Sequence, residues 1–216
     1  MTADPEILHG APGALLVIIS GPSGVGKDTI IDALRARDPS SGGDYHYVVT
    51  CTTRAPRPGE TDGLSYHFID RERFEALRDR GELLEADQVH DNWYGTPREE
   101  VRRALADGRD VILKIDVQGA QQVKERVEEA LLVFIVPPSM ETLFERLRAR
   151  ATESADELEI RQRNAAIELA RQEDYDYVVV NETGQVERVA ERIDEIIAAE
   201  HASHPGRQVV VYPRSP

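Results

Sequence analysis

The sequence predicts an α/β fold, a parallel sheet flanked by helices, and two observations carry that expectation. Short apolar, β-branched runs alternate with amphipathic stretches along most of the 216 residues. The first such run leads directly into a glycine-rich turn that opens a helical stretch. A chain of this length is expected to form one domain with excursions, and 40% hydrophobic with 31% charged residues suits a folded globular chain.

Residues 1–12 are expected to be a tail, without the basic start and long apolar run of a signal peptide. Residues 14–20 form a continuous apolar run bounded by glycine, the pattern of a strand buried on both faces. Residues 27–37 place Ile30, Ile31 and Leu34 on one helical stripe, which Asp38 and Pro39 are expected to end. Residues 111–115, 131–136 and 177–180 are further buried strands, each followed by a helical pattern, near 117–129, 139–150 and 185–199. Residues 45–96 break this rhythm with short alternating strands at 47–51, 65–69 and 83–88 and a small helix at 71–80. They read as an inserted, mostly antiparallel subdomain. Residues 148–166 are polar and arginine-rich, an exposed helix pair, and 202–216 read as a second tail in which 209–212 could add a strand. The domain proper is therefore expected over 13–201.

Forty acidic against 26 basic residues give a formal net charge of −14, which opposes broad binding to nucleic acid or an anionic membrane. The longest apolar runs are roughly a third of the ~20 residues a membrane helix needs. Cys51 is the only cysteine, so neither an intrachain disulfide nor a thiolate zinc cluster is possible; a cytoplasmic chain is the default expectation.

Gly21, Pro22, Ser23, Gly24, Val25, Gly26 and Lys27 have the spacing of a phosphate loop, and they stand between a strand and a helix. In such a loop the backbone N–H groups turn inward around a pyrophosphate, and the helix N-terminus adds favourable partial charge. Lys27 reaches the outer phosphates, so the loop predicts nucleoside triphosphate binding. The residue after the lysine is usually a hydroxyl that helps hold Mg²⁺; here it is Asp28, with Thr29 following. Asp28 is the candidate Mg²⁺ contact, through water.

The acceptor is suggested by Arg54 and Arg57, two arginines spaced by proline that would grip a phosphate monoester, with Glu60 ending the loop and Tyr66 as a further donor. Glu85, Tyr94, Thr96 and Asp116 add carboxylates and hydroxyls. Carboxylates accept well from adjacent N1–H and amino groups, the edge that guanine presents and adenine does not. GPSGVGK (21–27), TTRAPRPGE (52–60), Tyr94-Gly95-Thr96 read as a turn, and IDVQG (115–119) resemble the guanylate kinase family in order and spacing, over about residues 15–199. The resemblance implies the P-loop kinase fold, with 45–96 as the GMP-binding subdomain and 148–166 as a lid over ATP. It implies that Arg54, Arg57 and Tyr66 hold the GMP phosphate, and that Thr50, Glu85, Thr96 and Asp116 read the base beside Tyr94. It further implies that Arg146, Arg150 and Arg161 meet the ATP phosphates and that Asn181 lines the adenine pocket. Lys27, Arg54, Arg150 and Arg161 are then the catalytic set, with ATP and GMP as substrates. A non-catalytic peptide-binding module of the same family is disfavoured by the intact loop, and a kinase for another acceptor by the full set at 50–116.

Two positions leave the family pattern: Asp28, and Lys114, which stands where the family usually carries an acidic residue. Strand alternation puts Lys114 and Asp116 on one side, facing the loop, so Asp28 and Lys114 are expected to form an ion pair beneath it.

Overall fold

The computed structural model describes residues 8–41, 45–57, 59–89, 91–149 and 155–211. In chain order the strands are β1 (Leu8–His9), β2 (Leu16–Ser20), β3 (His46–Tyr47), β4 (Cys51–Thr52), β5 (His67–Phe68), β6 (Leu83–Val89), β7 (Asn92–Pro97), β8 (Val111–Lys114), β9 (Leu131–Val136), β10 (Tyr177–Val180) and β11 (Val210–Val211). The helices are α1 (Lys27–Ser41), α2 (Arg71–Asp79), α3 (Arg98–Ala106), α4 (Val117–Lys124), α5 (Met140–Ala149), α6 (Ala155–Leu169) and α7 (Val186–Ser203).

The main sheet has five strands in the order β10-β9-β2-β8-β3, every neighbouring pair parallel. In and just before its central strand β2, Leu15, Val17 and Ile19 enter one core with residues of α1, α5 and α7. Ala14, Leu16 and Ile18 enter a second core with residues of α3 and α4. That alternation is why residues 14–19 carry no polar side chain: both faces of β2 are covered, and Ser20 at its end is buried as well. Each fully buried aliphatic side chain there contributes about 1.5–3 kcal/mol. A second, four-stranded sheet, β5-β4-β7-β6, leans on α2 through Cys51, Phe74 and Leu83. Cys51 is thus a buried packing residue with a free thiol.

The α/β architecture and the mostly antiparallel insertion agree with expectation, and several boundaries do not. The run 47–51 is not one strand: β3 pairs parallel with β8 in the main sheet, and β4 starts the second sheet. The insertion therefore begins after β3 and not at residue 45, because period-2 alternation does not reveal which sheet a strand joins. Tyr94-Gly95-Thr96 is no turn but the middle of β7. Gly95 is required by close packing, since a Cβ there would lie 2.9 Å from Leu83 Cδ1 and 3.1 Å from Phe74 Cζ. Pro39 does not stop α1, which runs to Ser41; a proline in the last turn removes one helical hydrogen bond, and the helix ends two residues later. Helix α3 was not anticipated, although Val101, Ala104 and Leu105 supply its buried face. Neither end is simply a tail: β1 and β11 pair antiparallel, and Val209 and Val211 are buried in the second core. No helix among the described residues is long and apolar enough to cross a membrane.

Candidate active site

Strand β2 delivers the chain into the glycine loop at the carboxyl end of the main sheet, and β8 ends beside it, where open parallel sheets place ligands. Gly21 holds φ at +145°, and a Cβ there would run into the backbone carbonyl of Ile135 on β9. Gly21→Ala is expected to destabilise the fold by about 2–4 kcal/mol through strain and overpacking. Gly59→Ala, at φ +88° with nothing within 4 Å, should lose about 1–2 kcal/mol from strain alone. Paired thermal melts of the two variants check this.

The loop is braced from below. Asn181, buried after β10, donates its amide to the Val25 carbonyl at 2.7 Å. Arg146 donates to Val25 O at 3.4 Å, to Asn181 O at 3.1 Å and to Thr183 Oγ1 at 3.1 Å. Both side chains therefore reach the loop, but on its carbonyl side. Arg161 of α6 donates to Ser23 Oγ at 3.3 Å, while Arg150 lies outside the described residues. Sequence reasoning missed Glu168, whose Oε2 accepts from the Ser23 N–H at 3.1 Å. It sits seven residues after Arg161, on the same helical face, and that spacing was the available signal.

Lys27 donates to Gly21 O at 2.5 Å and pairs with Asp116 Oδ1 at 3.1 Å. Asp116 was expected at the base edge beside Glu85; its direct partner here is the loop lysine. Asp28 and Lys114 form the expected ion pair. The exposures are unequal: the Lys114 side chain is 20% exposed and that of Asp28 65%. Burial lowers the Lys114 affinity for its proton, but Tyr66 and Asp28 more than offset this and hold its pKa above the ordinary value. Thr29 is exposed one residue on.

Across the cleft, Arg54 closes its guanidinium fork on Glu60, with contacts of 2.8 and 3.0 Å, and donates Nε to the Tyr94 hydroxyl at 3.2 Å. Burial pushes the Glu60 carboxyl upward, but bonds from Arg54 and from the Arg57 backbone outweigh it and hold the group below its ordinary value. Arg57 is exposed and offers Glu60 its backbone N–H at 2.6 Å. The two arginines thus do not converge as a ready fork: Glu60, expected among the ligands, organises both. The Tyr66 ring packs on Tyr94 at 6.0 Å between centroids, with the Arg54 guanidinium 5.4 Å above it.

Glu85 is 2% exposed and accepts from the Thr96 hydroxyl at 2.7 Å. Burial pushes its carboxyl up to about 7, against the Thr96 hydrogen bond, and the negative charges of Asp87 and Asp116 add to the rise. Gly119 on α4 is where a Cβ would come within 3.0 Å of Glu85 Oε2, so glycine makes room for the carboxylate. Thr50 is buried nearby in sequence to β4. Asp87 was also missed. It lies two residues beyond Glu85 on the same strand face, opposite Tyr94, and its buried Oδ2 has no hydrogen-bond partner among the described residues.

The glycine loop thus lies on one side of Lys27 and Lys114, and the buried Glu85 with Thr96, Tyr66, Tyr94 and Arg54 on the other. The family profile described as guanylate kinase matches residues 14–200. The chain belongs to the guanylate kinase family. A guanylate kinase of Halalkalibacterium halodurans is 44% identical, the match covering 87% of this chain and 89% of the relative. One from Mycobacterium tuberculosis is 48% identical over 80% of this chain and 83% of its own length. The crystal structure of guanylate kinase from Anaplasma phagocytophilum superposes with a TM-score of 0.69 at 33% identity, covering 90% of this chain and 88% of that one. Guanylate kinase family members are nucleoside monophosphate kinases, and the two-sided cleft has the layout such an enzyme needs.

Proposed function

We propose that the chain catalyses ATP + GMP ⇌ ADP + GDP, with the triphosphate on the glycine loop and GMP in the second sheet. The observation that carries the choice of acceptor is Glu85, a buried carboxylate bonded on one oxygen by Thr96. Such a group is satisfied by an N–H donor edge and rejects a base without one.

An oxygen of the GMP phosphate attacks the γ-phosphorus in line; the new P–O bond forms as the bond to the bridging oxygen breaks, and ADP leaves. Catalysis of this type is positioning and charge neutralisation. Lys27 moves charge from Asp116 to the transferring phosphoryl group. Arg54 and Arg57 neutralise the acceptor phosphate, Arg54 exchanging a contact with Glu60 for one with phosphate. Thr50, Thr96, Tyr94 and Asp116 complete the acceptor pocket, while Arg146, Arg161 and Asn181 hold the loop and lid on the donor side; Arg150 is assigned to the ATP phosphates by its place in the sequence alone.

The hard oxygens of the exposed Asp28 fit a Mg²⁺ that retains most of its waters, and no cluster of three or more metal-binding side chains occurs among the described residues. That carboxylate would hold the ion through water, and when bound it would supply charge neutralisation at the substrate phosphates.

Separation of the nucleotides after incubation with ATP and each of GMP, AMP, UMP and dTMP tests the reaction. ADP and GDP should form in equal amounts with GMP. ADP without GDP, or equal turnover of AMP, contradicts it.

A further inference from the structure

Lys114 touches three parts of the molecule at the cleft: the main sheet, the helix after the phosphate loop and the second sheet's side. It ends β8 in the main sheet, paired in register with Ile19 of β2. Its ammonium is ion-paired with Asp28, in the first turn of the helix that follows the phosphate loop. The same ammonium lies 5.0 Å from the centre of the Tyr66 ring, near enough that the ammonium and the phenol hydroxyl shift each other's proton affinity. Tyr66 belongs to the second sheet's side of the cleft, immediately before β5, and its ring is packed by Phe68, Tyr94 and the Arg54 guanidinium. The link therefore runs from donor loop to acceptor pocket through one side chain.

We propose that Lys114 is a positioning residue for the acceptor phosphate: it fixes Tyr66 relative to the phosphate loop by holding Tyr66 and Asp28 at once. The inference rests on the reading above that Tyr66 contacts that phosphate. Three features suit the role. The side chain is four-fifths covered, so its position is set by the surrounding residues and not by solvent. Its charge is secured by two partners, one from each side. Tyr66 is confined by aromatic neighbours and an arginine, so the remaining freedom of its hydroxyl lies in the contact that Lys114 controls. An acidic residue at position 114 would repel Asp28 and accept from Tyr66 without any cation to bring; the lysine and Asp28 therefore act as one unit with Tyr66.

The test uses the full chain and steady-state kinetics with ATP and GMP. Lys114→Met removes the charge at similar length. It leaves Asp28 largely in water, so the variant is expected to fold, and Lys114→Gln serves as a second variant with a hydrogen-bonding group. Lys114→Met should raise KM for GMP roughly tenfold, the loss of one polar contact to a charged group, with KM for ATP within about twofold. Lys114→Arg, which can hold both partners, should recover most of the loss. In a Tyr66→Phe background, Lys114→Met should add less than about twofold, because two residues acting through one contact are not additive. The proposal is overturned if Lys114→Met leaves KM for GMP unchanged, if the two substitutions multiply, or if Lys114→Arg is as impaired as Lys114→Met. If Tyr66→Phe alone leaves KM for GMP unchanged, the placement of Tyr66 on the acceptor phosphate fails as well. If Tyr66→Phe raises KM and Lys114→Met does not, only the role of Lys114 falls.

Discussion

Glu85→Gln should lower kcat/KM for GMP by roughly 10²–10³-fold, two hydrogen bonds to a charged acceptor being replaced by an amide that presents a donor to donors. KM for ATP should hardly move. The same substitution should stabilise the free protein at alkaline pH. The Glu85 carboxyl titrates at about 7 in the fold, above its ordinary 4.5, chiefly because burial penalises the charge. A raised carboxylate pKa means that the folded state holds a proton the unfolded state has lost between those values. Stability from this group is therefore greatest below pH 4.5 and declines as pH rises through 7. Above that, the ionised, buried carboxylate destabilises the fold by about 3 kcal/mol. Gln escapes that penalty and still accepts from Thr96, so its melting temperature should exceed that of the parent at pH 8 and match it near pH 4.5. An equal difference at both pH values would place the effect elsewhere. The same titration gives the parent enzyme a KM for GMP that rises as pH falls below 7, because the guanine edge needs the ionised acceptor.

Lys27→Met is the complementary expectation on the donor side. The lysine is held by Gly21 O and Asp116, poised at the mouth of the loop. Loss of one preorganised charge at a developing anion typically lowers kcat by about 10²–10³-fold. KM for GMP should stay within about threefold, because of the acceptor pocket's residues only Asp116 touches Lys27. Asp116 is 41% exposed, so water can solvate it once its partner is gone and the fold should persist. Stopped-flow or coupled kinetics at saturating ATP check the kcat, and a fall in GMP affinity matching the fall in kcat would contradict the division of the cleft into donor and acceptor sides.

How much of this was legible in the sequence depended on the range of the signal. The run before the loop was readable because both faces of β2 are buried, which leaves no alternation to misread. The Asp28–Lys114 pair was readable because strand alternation and two departures from the family pattern pointed to the same place. The division of 46–52 between two sheets was not, since both strands share one local pattern and only long-range pairing separates them. Gly95 looked like turn chemistry, while its cause is the crowding of Leu83 and Phe74, residues distant in sequence. Glu60 was read as a ligand from its place in the loop. That it closes the fork of Arg54 is a matter of side-chain geometry within one turn, which spacing does not encode. Glu168 reaches Ser23 from 145 residues away, and only its seven-residue spacing from Arg161 hints at that contact.

The most direct test of the central claim, that a buried carboxylate pocket beside the phosphate loop selects guanine, is the ratio of kcat/KM for GMP to that for AMP in the unaltered chain. A pocket that must leave Glu85 unpaired with adenine predicts a ratio of roughly 10⁴ or more at pH 8. A ratio within about tenfold of unity would mean that the second sheet does not read the base, and would contradict the account.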